Sequence, residues 1–332
     1  MSLKKVAGGI SFLLTLAIIA LFFAKQQIDE YLTQPRIDKT QLIVVEHGSN
    51  FSRLGEQFLE QSIITDLRWW KVIGKLQPEL TQIRSGTYQI QEGYNLEDIL
   101  TTINTGKEYQ FKVTFVEGST FKEWLVNIEN AELLTPLQKT EDEILSALNI
   151  PHQKLEGLLF PETYHYRANM SALELIKKAY AHQSKILDKL WAARDKNLPY
   201  KTPYEALIMA SIIEKESGLS DDRDKISSVF ANRLRIGMRL QTDPTVIYGM
   251  GERYKGRIRS KDLREKTAYN TYTMYGLPPT PIAMPSEAAL YATLHPAKTK
   301  YLYFVSKGDG TSYFSESLRE HNNAVNKYIR GK

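Results

Sequence analysis

The chain contains no cysteine, which excludes disulfides and thiolate metal sites while leaving its compartment open. Histidine is sparse: the six, at positions 47, 152, 165, 182, 295 and 321, are scattered and form no H-E-x-x-H spacing, so no metal site is expected. There is no Gly-rich phosphate loop and no G-x-S-x-G elbow, and no cofactor is expected. An excess of one charge is nearly absent too, since 43 Lys+Arg face 38 Asp+Glu for a net +5, with 42% hydrophobic residues and a mean hydropathy of −0.36. Such averages exclude a multi-span membrane protein, a collagenous chain and a disordered one.

The averages conceal one long apolar run. Val6–Ala24 is 19 residues without a charge, bounded by Lys4-Lys5 and Lys25. At about 1.5 Å per residue it would be roughly 28 Å long as a helix, close to the hydrocarbon thickness of a bilayer. A cleaved signal peptide would have a shorter apolar core and a small-residue cleavage site, and Phe22-Phe23-Ala24-Lys25 offers none. A buried helix of a globular domain would rarely be apolar all round. The favoured reading is an uncleaved single-span anchor, residues 6–24, with residues 1–5 as a cytoplasmic tail. Lys4 and Lys5 before the span put the N-terminus inside by the positive-inside bias, and the rest of the chain on the far side.

Residues 25–40 read as a polar stalk, with Pro35 discouraging a continuous helix. A pattern then recurs: Gly48-Ser49-Asn50-Phe51, Gly93-Tyr94-Asn95-Leu96 and Gly118-Ser119-Thr120-Phe121 each place a glycine turn before a helix-capping residue and an apolar one. The first copy opens a strand, two helices (around 51–60 and 66–75) and a returning strand at 86–90. This βααβ order and the opening I-V-V-E-H-G-S-N-F resemble a LysM-type module, a fold associated with N-acetylglucosamine polymers, and assign 41–105 to it. Trp69-Trp70 can equally be core in a module that binds nothing.

The chain turns strongly helical from Ser171, whose S-A-L-E is a capping-box pattern. Thr202-Pro203 opens a second helix that runs through A-L-I-M-A-S-I-I-E-K-E and can stop at Gly218. A third begins near Asp221-Asp222 and ends at Gly237. Residues 237–285 hold too many turn signals for a long helix. A short helix at 286–294, a hairpin from 301–305 and 312–314, and a last helix from Ser317 complete the expectation. The fold class is α+β: one transmembrane helix, the βααβ module, an α+β connecting subdomain over 106–170, and a mainly helical catalytic domain with a small β component over 171–332.

Carboxylates carry the best chemical signal. Glu214 and Glu216 end an otherwise apolar helix, and two positions apart they point to different faces. They cannot act as a pair on one bond. A carboxyl set among aliphatic side chains is desolvated, which raises its pKa and suits a general acid; an exposed helix end with ordinary surface charge is the bland reading. Segment 233–266 holds ten Lys/Arg against four acids, a surplus that fits a solvated face or an anionic polymer outside the cytoplasm. It carries no nucleic-acid recognition motif, and none is expected as a partner.

An ordered set of phrases then identifies a family. A-S-I-I-E-K-E (210–216), S-V-F-x-N-R-L (228–234), G-M-x-L-Q-T-D-P-T-V-x-Y (237–248), Y-N-T-Y (269–272), G-L-P-P-x-P-I (276–282), H-P-A (295–297) and Y-L-Y-F-V (301–305), with E-G-L-L-F-P-E-T-Y (156–164) upstream, resemble the YceG-like (MltG) family of membrane-anchored endolytic murein transglycosylases. The resemblance implies that Glu216, second of the E-K-E phrase, is catalytic, with Glu214 in support. Gln241, Thr242, Asp243, Tyr269, Asn270 and Tyr272 match phrases expected to line the glycan cleft. It further implies cleavage of the β-1,4 bond between N-acetylmuramic acid and N-acetylglucosamine without water, leaving a 1,6-anhydromuramoyl end. The sugar's own C6 hydroxyl would be the nucleophile, so one carboxyl acting as acid and then as base would suffice. The expected setting is the inner membrane with the catalytic part periplasmic, peptidoglycan glycan strands as substrate and peptidoglycan synthases as partners. A non-catalytic peptidoglycan-binding scaffold for those synthases is the alternative.

Overall fold

The computed structural model describes residues 3–216 and 222–331, in two compact units, 1–111 and 112–332. The first begins with α1 (Leu3–Thr33), of which Gly9–Thr33 is long and apolar enough to cross a membrane. Ile10, Phe12, Leu13, Phe22 and Phe23 are exposed along it. The expected stalk differs: α1 continues through it and stops two residues before Pro35. The reason lies in Ile28, Tyr31 and Leu32, which share one helix face at i, i+3 and i+4 and are buried with Ile37 in the core of this unit.

The strand β1 (Gln41–Val45), helices α2 (Phe51–Glu60) and α3 (Arg68–Leu76), strand β2 (Gly86–Ile90) and helix α4 (Leu96–Thr105) follow. β1 and β2 pair antiparallel, Gln41 opposite Ile90 and Val45 opposite Gly86. The βααβ order is therefore present. Trp70 is a core residue: its ring stacks on Phe51 at 4.3 Å and its Nε1–H donates to the Phe51 carbonyl at 2.9 Å. Trp69 packs against the same core, partly buried.

The second unit carries most of β3 (Phe111–Thr114), then α5 (Phe121–Glu129), α6 (Glu141–Ala147) and β4 (Thr163–Tyr166), which pairs with β3. Next come α7 (Ala172–Ala192), α8 (Pro203–Glu216) and α9 (Arg223–Arg235). The expected stop of α8 at Gly218 and the residues around Asp221 fall outside the described residues. The turn-rich stretch holds one short α-helix, α10 (Asp243–Met250), and two single 3-10 turns, Gly251–Arg253 and Asp262–Arg264, followed by α11 (Glu287–Leu294). Strands β5 (Tyr303–Ser306) and β6 (Ser312–Ser315) form an antiparallel hairpin, and α12 (Leu318–Tyr328) closes the described chain. Residues 106–170 and 171–332, apart from 106–111, lie in this one unit.

The recurring turn is one device used three times. Gly48, Gly93 and Gly118 all have positive φ, and Asn50, Asn95 and Thr120 each accept a hydrogen bond from the backbone N–H three residues on. Helix α8 forms the centre of the second unit: every residue from Ala206 to Ile213 is buried. Gly157 fixes the segment before β4 against the loop ahead of α11. Its φ is +78°, and a Cβ there would run into the Pro281 ring. Gly157→Ala combines left-handed strain with overpacking against a rigid partner, so it should destabilise the fold by about 2–4 kcal/mol. Urea unfolding would show this as a lowered midpoint with unchanged slope.

Candidate functional site

Because α8 is buried on all sides, its last turn delivers two carboxylates in different directions. Glu214 turns to α11, where its Oε2 accepts from the Ser286 N–H at 2.9 Å and from the Ser286 hydroxyl at 2.5 Å. Ser286 is the cap of α11, its Oγ accepting from the Ala289 N–H. Arg223 stands 3.9 Å from Glu214, both side chains mostly buried. Glu214 therefore ties two helices together, and nearby Glu117 has its pKa raised by burial and by the Glu214 charge.

Glu216 opens instead on a cavity of about 470 Å³, lined also by Arg233, Gln241, Asp243, Tyr272, Tyr303 and His321. Its Oε1 accepts the hydroxyl proton of Thr242. Thr242 is fully held. Its N–H donates to Thr271 Oγ1 at 3.0 Å, its carbonyl accepts from Thr245 Oγ1 at 2.7 Å, and Thr245 and Thr271 hydroxyls meet at 2.9 Å. This buried triad of threonines fixes the direction of the one hydroxyl that reaches Glu216. Gln241, with φ +50°, makes the bend that leads into α10.

Arg233 of α9 is the buried cation of the cavity. Its Nε donates to the Leu302 carbonyl at 2.7 Å and its Nη1 to the Leu240 carbonyl at 2.5 Å. The guanidinium lies 5.3 Å from the centre of the Tyr303 ring, which stacks on His321 of α12. Across the cavity the Tyr272 hydroxyl donates to Asp243 at 2.6 Å.

These surroundings set the carboxyl chemistry. Burial raises the Glu216 pKa and the Asp243 charge raises it further, while the Thr242 hydroxyl and the Arg233 charge oppose them. Burial outweighs the opposing pair, so Glu216 holds its proton to higher pH than an ordinary glutamate. Burial and Arg233 together lower the His321 pKa, favouring neutral imidazole. The arrangement can supply one proton-holding carboxyl, a fixed hydroxyl and a locked cation within one cavity.

The structure thus gathers Glu216, Gln241, Thr242, Asp243 and Tyr272. It places Glu214, Tyr269 and Asn270 elsewhere. Asn270 is buried and its amide donates to the Asp262 and Glu265 carbonyls, shaping the turn that aims its neighbours. Tyr269 bonds Thr280 Oγ1 at 2.8 Å and lines a different cavity. Arg233 and the walls from β5 and α12 were missed. Arg233 had a signal, since Ile226, Phe230 and Arg233 share helical spacing and a cation there sits on an apolar stripe. The α12 residues had none. Among the described residues, no group of three or more His, Asp or Glu is placed to hold a metal ion.

Comparison with known proteins agrees across nearly the whole chain. The YceG-like family model matches residues 43–327. An endolytic murein transglycosylase of Bacillus subtilis (strain 168) is 36% identical over 269 residues, which are 75% of this chain and 74% of that protein. One from Streptococcus pneumoniae (strain D39) is 29% identical over 256 residues, 74% of this chain but 45% of its own length. A crystal structure described as a yceG-like protein of Listeria monocytogenes is 28% identical, with a TM-score of 0.54 over 86% of this chain and 98% of that one. Two thirds or more of a 36%-identical relative and a family match from residue 43 to 327 are covered together, and the chain belongs to the YceG-like family.

Proposed function

We propose that this protein is an endolytic murein transglycosylase, held at the inner membrane by α1 with its catalytic part in the periplasm. The observation that carries the reading is the carboxyl of Glu216, raised by burial and bonded through Oε1 to Thr242, in a cavity of about 470 Å³. Glycosidases that use water need two carboxyls flanking the bond. Glu214 is spent on Ser286 and Arg223, and Asp243 is engaged by Tyr272.

The reaction then runs on one carboxyl. With Oε1 committed to Thr242, Oε2 of Glu216 addresses the substrate and gives its proton to the oxygen leaving C1 of N-acetylmuramic acid. The charge that grows on the sugar ring is met by the carboxylate so formed. The C6 hydroxyl of the same ring closes on C1, its reach intramolecular, and returns its proton to Glu216. The glycan leaves with a 1,6-anhydromuramoyl end and the enzyme is restored. Gln241, Asp243 and Tyr272 bind the strand around the bond, and Arg233 balances Glu216 while it is ionised. Acting on strands beside the membrane, the enzyme would terminate glycan elongation next to the synthases that extend them.

Mass spectrometry of products from isolated sacculi tests the reaction. Purified protein should release fragments lighter by one water than hydrolysis products, and Glu216→Gln should lower that release about 10²–10⁴-fold while the fold persists. Hydrolysed ends would replace the transglycosylase reading with a muramidase one, and no digestion at all would favour the scaffold.

Burial of Glu216 also has a stability consequence. A carboxyl with a raised folded pKa stabilises fully below its unfolded value and loses that contribution as pH rises through the folded one. Glu216→Gln removes the loss, so its melting temperature relative to wild type should be higher at pH 8 than at pH 4, by about 2–4 °C for each kcal/mol of buried-charge cost. Thr242→Val removes the hydroxyl that favours the ionised form. The alkaline limb of its pH–rate profile should therefore move upward, whereas an unmoved limb would mean that Glu216 is not the titrating acid.

A further inference from the structure

A second cavity, of about 750 Å³, lies at the other end of α10. Asp243 at the start of that helix lines the Glu216 cavity, and Ile247, Tyr248 and Gly249 near its end line the second. These lining residues are four to six positions apart on the helix, about 6–9 Å along its axis. Three residues that the reaction leaves unused meet here: Glu156 opens the phrase 156–164, Tyr248 ends 237–248 and Tyr269 begins 269–272.

Glu156 is 4% exposed. It accepts from the Phe121 N–H at 3.1 Å and from the Tyr248 hydroxyl, and burial pushes its pKa up to about 7. Beside it Lys154 is half-buried, its Nζ 5.4 Å from the centre of the Tyr248 ring and 5.6 Å from that of Tyr269. Among the described residues this ammonium has ring contacts and no hydrogen bond or salt bridge, while its charge acts on Glu156, whose pKa it lowers against burial. The other acids around the cavity are committed. Glu252 pairs with Lys122 at 2.5 Å, Glu141 accepts the Leu155 N–H at 2.6 Å, and Glu123 closes the cap of its own helix. A half-buried ammonium whose neighbouring carboxyl, Glu156, is held toward its protonated form by burial is only partly neutralised, a cost that an arriving anion relieves.

We propose that this cavity is a binding site for the stem peptide of murein, one of whose carboxylates sits on Lys154 between Tyr248 and Tyr269. The proposal rests on the reading of the chain as a murein enzyme. In peptide-bearing murein the lactyl carboxyl of N-acetylmuramic acid is tied up as an amide and N-acetylglucosamine is uncharged, so the carboxylates are those of the stem peptides. Glu156 retains lone pairs for a peptide N–H alongside its two donors. The arginines nearest Glu216 do not compete for the peptide charge, because Arg233 and Arg239 donate to backbone carbonyls. A peptide at the far end of α10 would thus hold the strand while its glycan reaches Glu216.

The test uses the full chain in detergent and two readouts. In calorimetric titration, wild type should bind the free stem tetrapeptide about tenfold more tightly than its fully amidated form, the scale of one charge-assisted hydrogen bond. Lys154→Met should erase that preference and Lys154→Arg should keep it. In the second readout, Lys154→Met should raise KM about tenfold on peptide-bearing strands and leave turnover unchanged on amidase-stripped strands whose freed lactyl carboxyls have been capped as amides. Equal binding of the two peptides by wild type, or equal losses on the two strands, overturns the site. Cutting of both strands without a peptide preference removes the site alone, whereas a peptide preference without cutting of either strand removes the transglycosylase reading and upholds the site.

Discussion

Helix α8 is surrounded by protein along Ala206–Ile213, and the rest of the second unit is arranged around that constraint. A helix enclosed on every face cannot rotate to relieve strain at its end. Residues 214 and 216 differ by about 200° around the axis, so one carboxylate must meet α11 and the other the cavity. Glu214 becomes the tie that caps α11 through Ser286. Glu216 is left at the cavity, with the Thr242 hydroxyl to receive it. The apolar helix thus sets the direction of the Glu216 carboxyl, and burial raises its affinity for a proton.

What could be read beforehand follows from how local each signal is. Caps and stops were legible because a glycine turn followed by Asn50, Asn95 or Thr120 acts within one helical turn. Divergence of Glu214 and Glu216 was legible because helical geometry alone requires it. Helix α10 was not: eight residues containing Pro244 and Gly249 are too few to show a period, and turn residues dominate the stretch. The continuation of α1 past residue 25 was hidden because three buried side chains, Ile28, Tyr31 and Leu32, are too few to stand out in a polar stretch. A motif also marks a place without a direction. Tyr269, Asn270 and Tyr272 are near neighbours in sequence, yet they serve a second cavity, a buried turn and the Glu216 cavity in that order.

Charge shows the same limit. The basic surplus of 233–266 invited an anionic polymer as a partner for the whole stretch. In the fold its members have separate fates. Arg233 is sunk among carbonyls, Arg235 bonds Asn232 and the Asn197 carbonyl, and Arg253 is paired with Glu265 at 3.1 Å. A count of charges cannot distinguish a cation consumed by the backbone from one offered to a ligand. Lys154, outside the stretch, stands at a cavity wall with two tyrosine rings and no hydrogen bond or salt bridge to hold it.

Asp243 shows why a nearby second carboxylate need not make the site a two-carboxyl hydrolase. Its oxygen accepts the Tyr272 hydroxyl, and its charge raises the pKa of Glu216. Two carboxylates in one pocket repel when both are charged, which favours the protonated form of Glu216. The partner that would deprotonate a water in a hydrolase here preserves the acid. Burial, Asp243 and the opposing pair of Thr242 and Arg233 together leave Glu216 able to give a proton and to take one back. That reversibility is the property a reaction needs when its nucleophile arrives on the substrate itself.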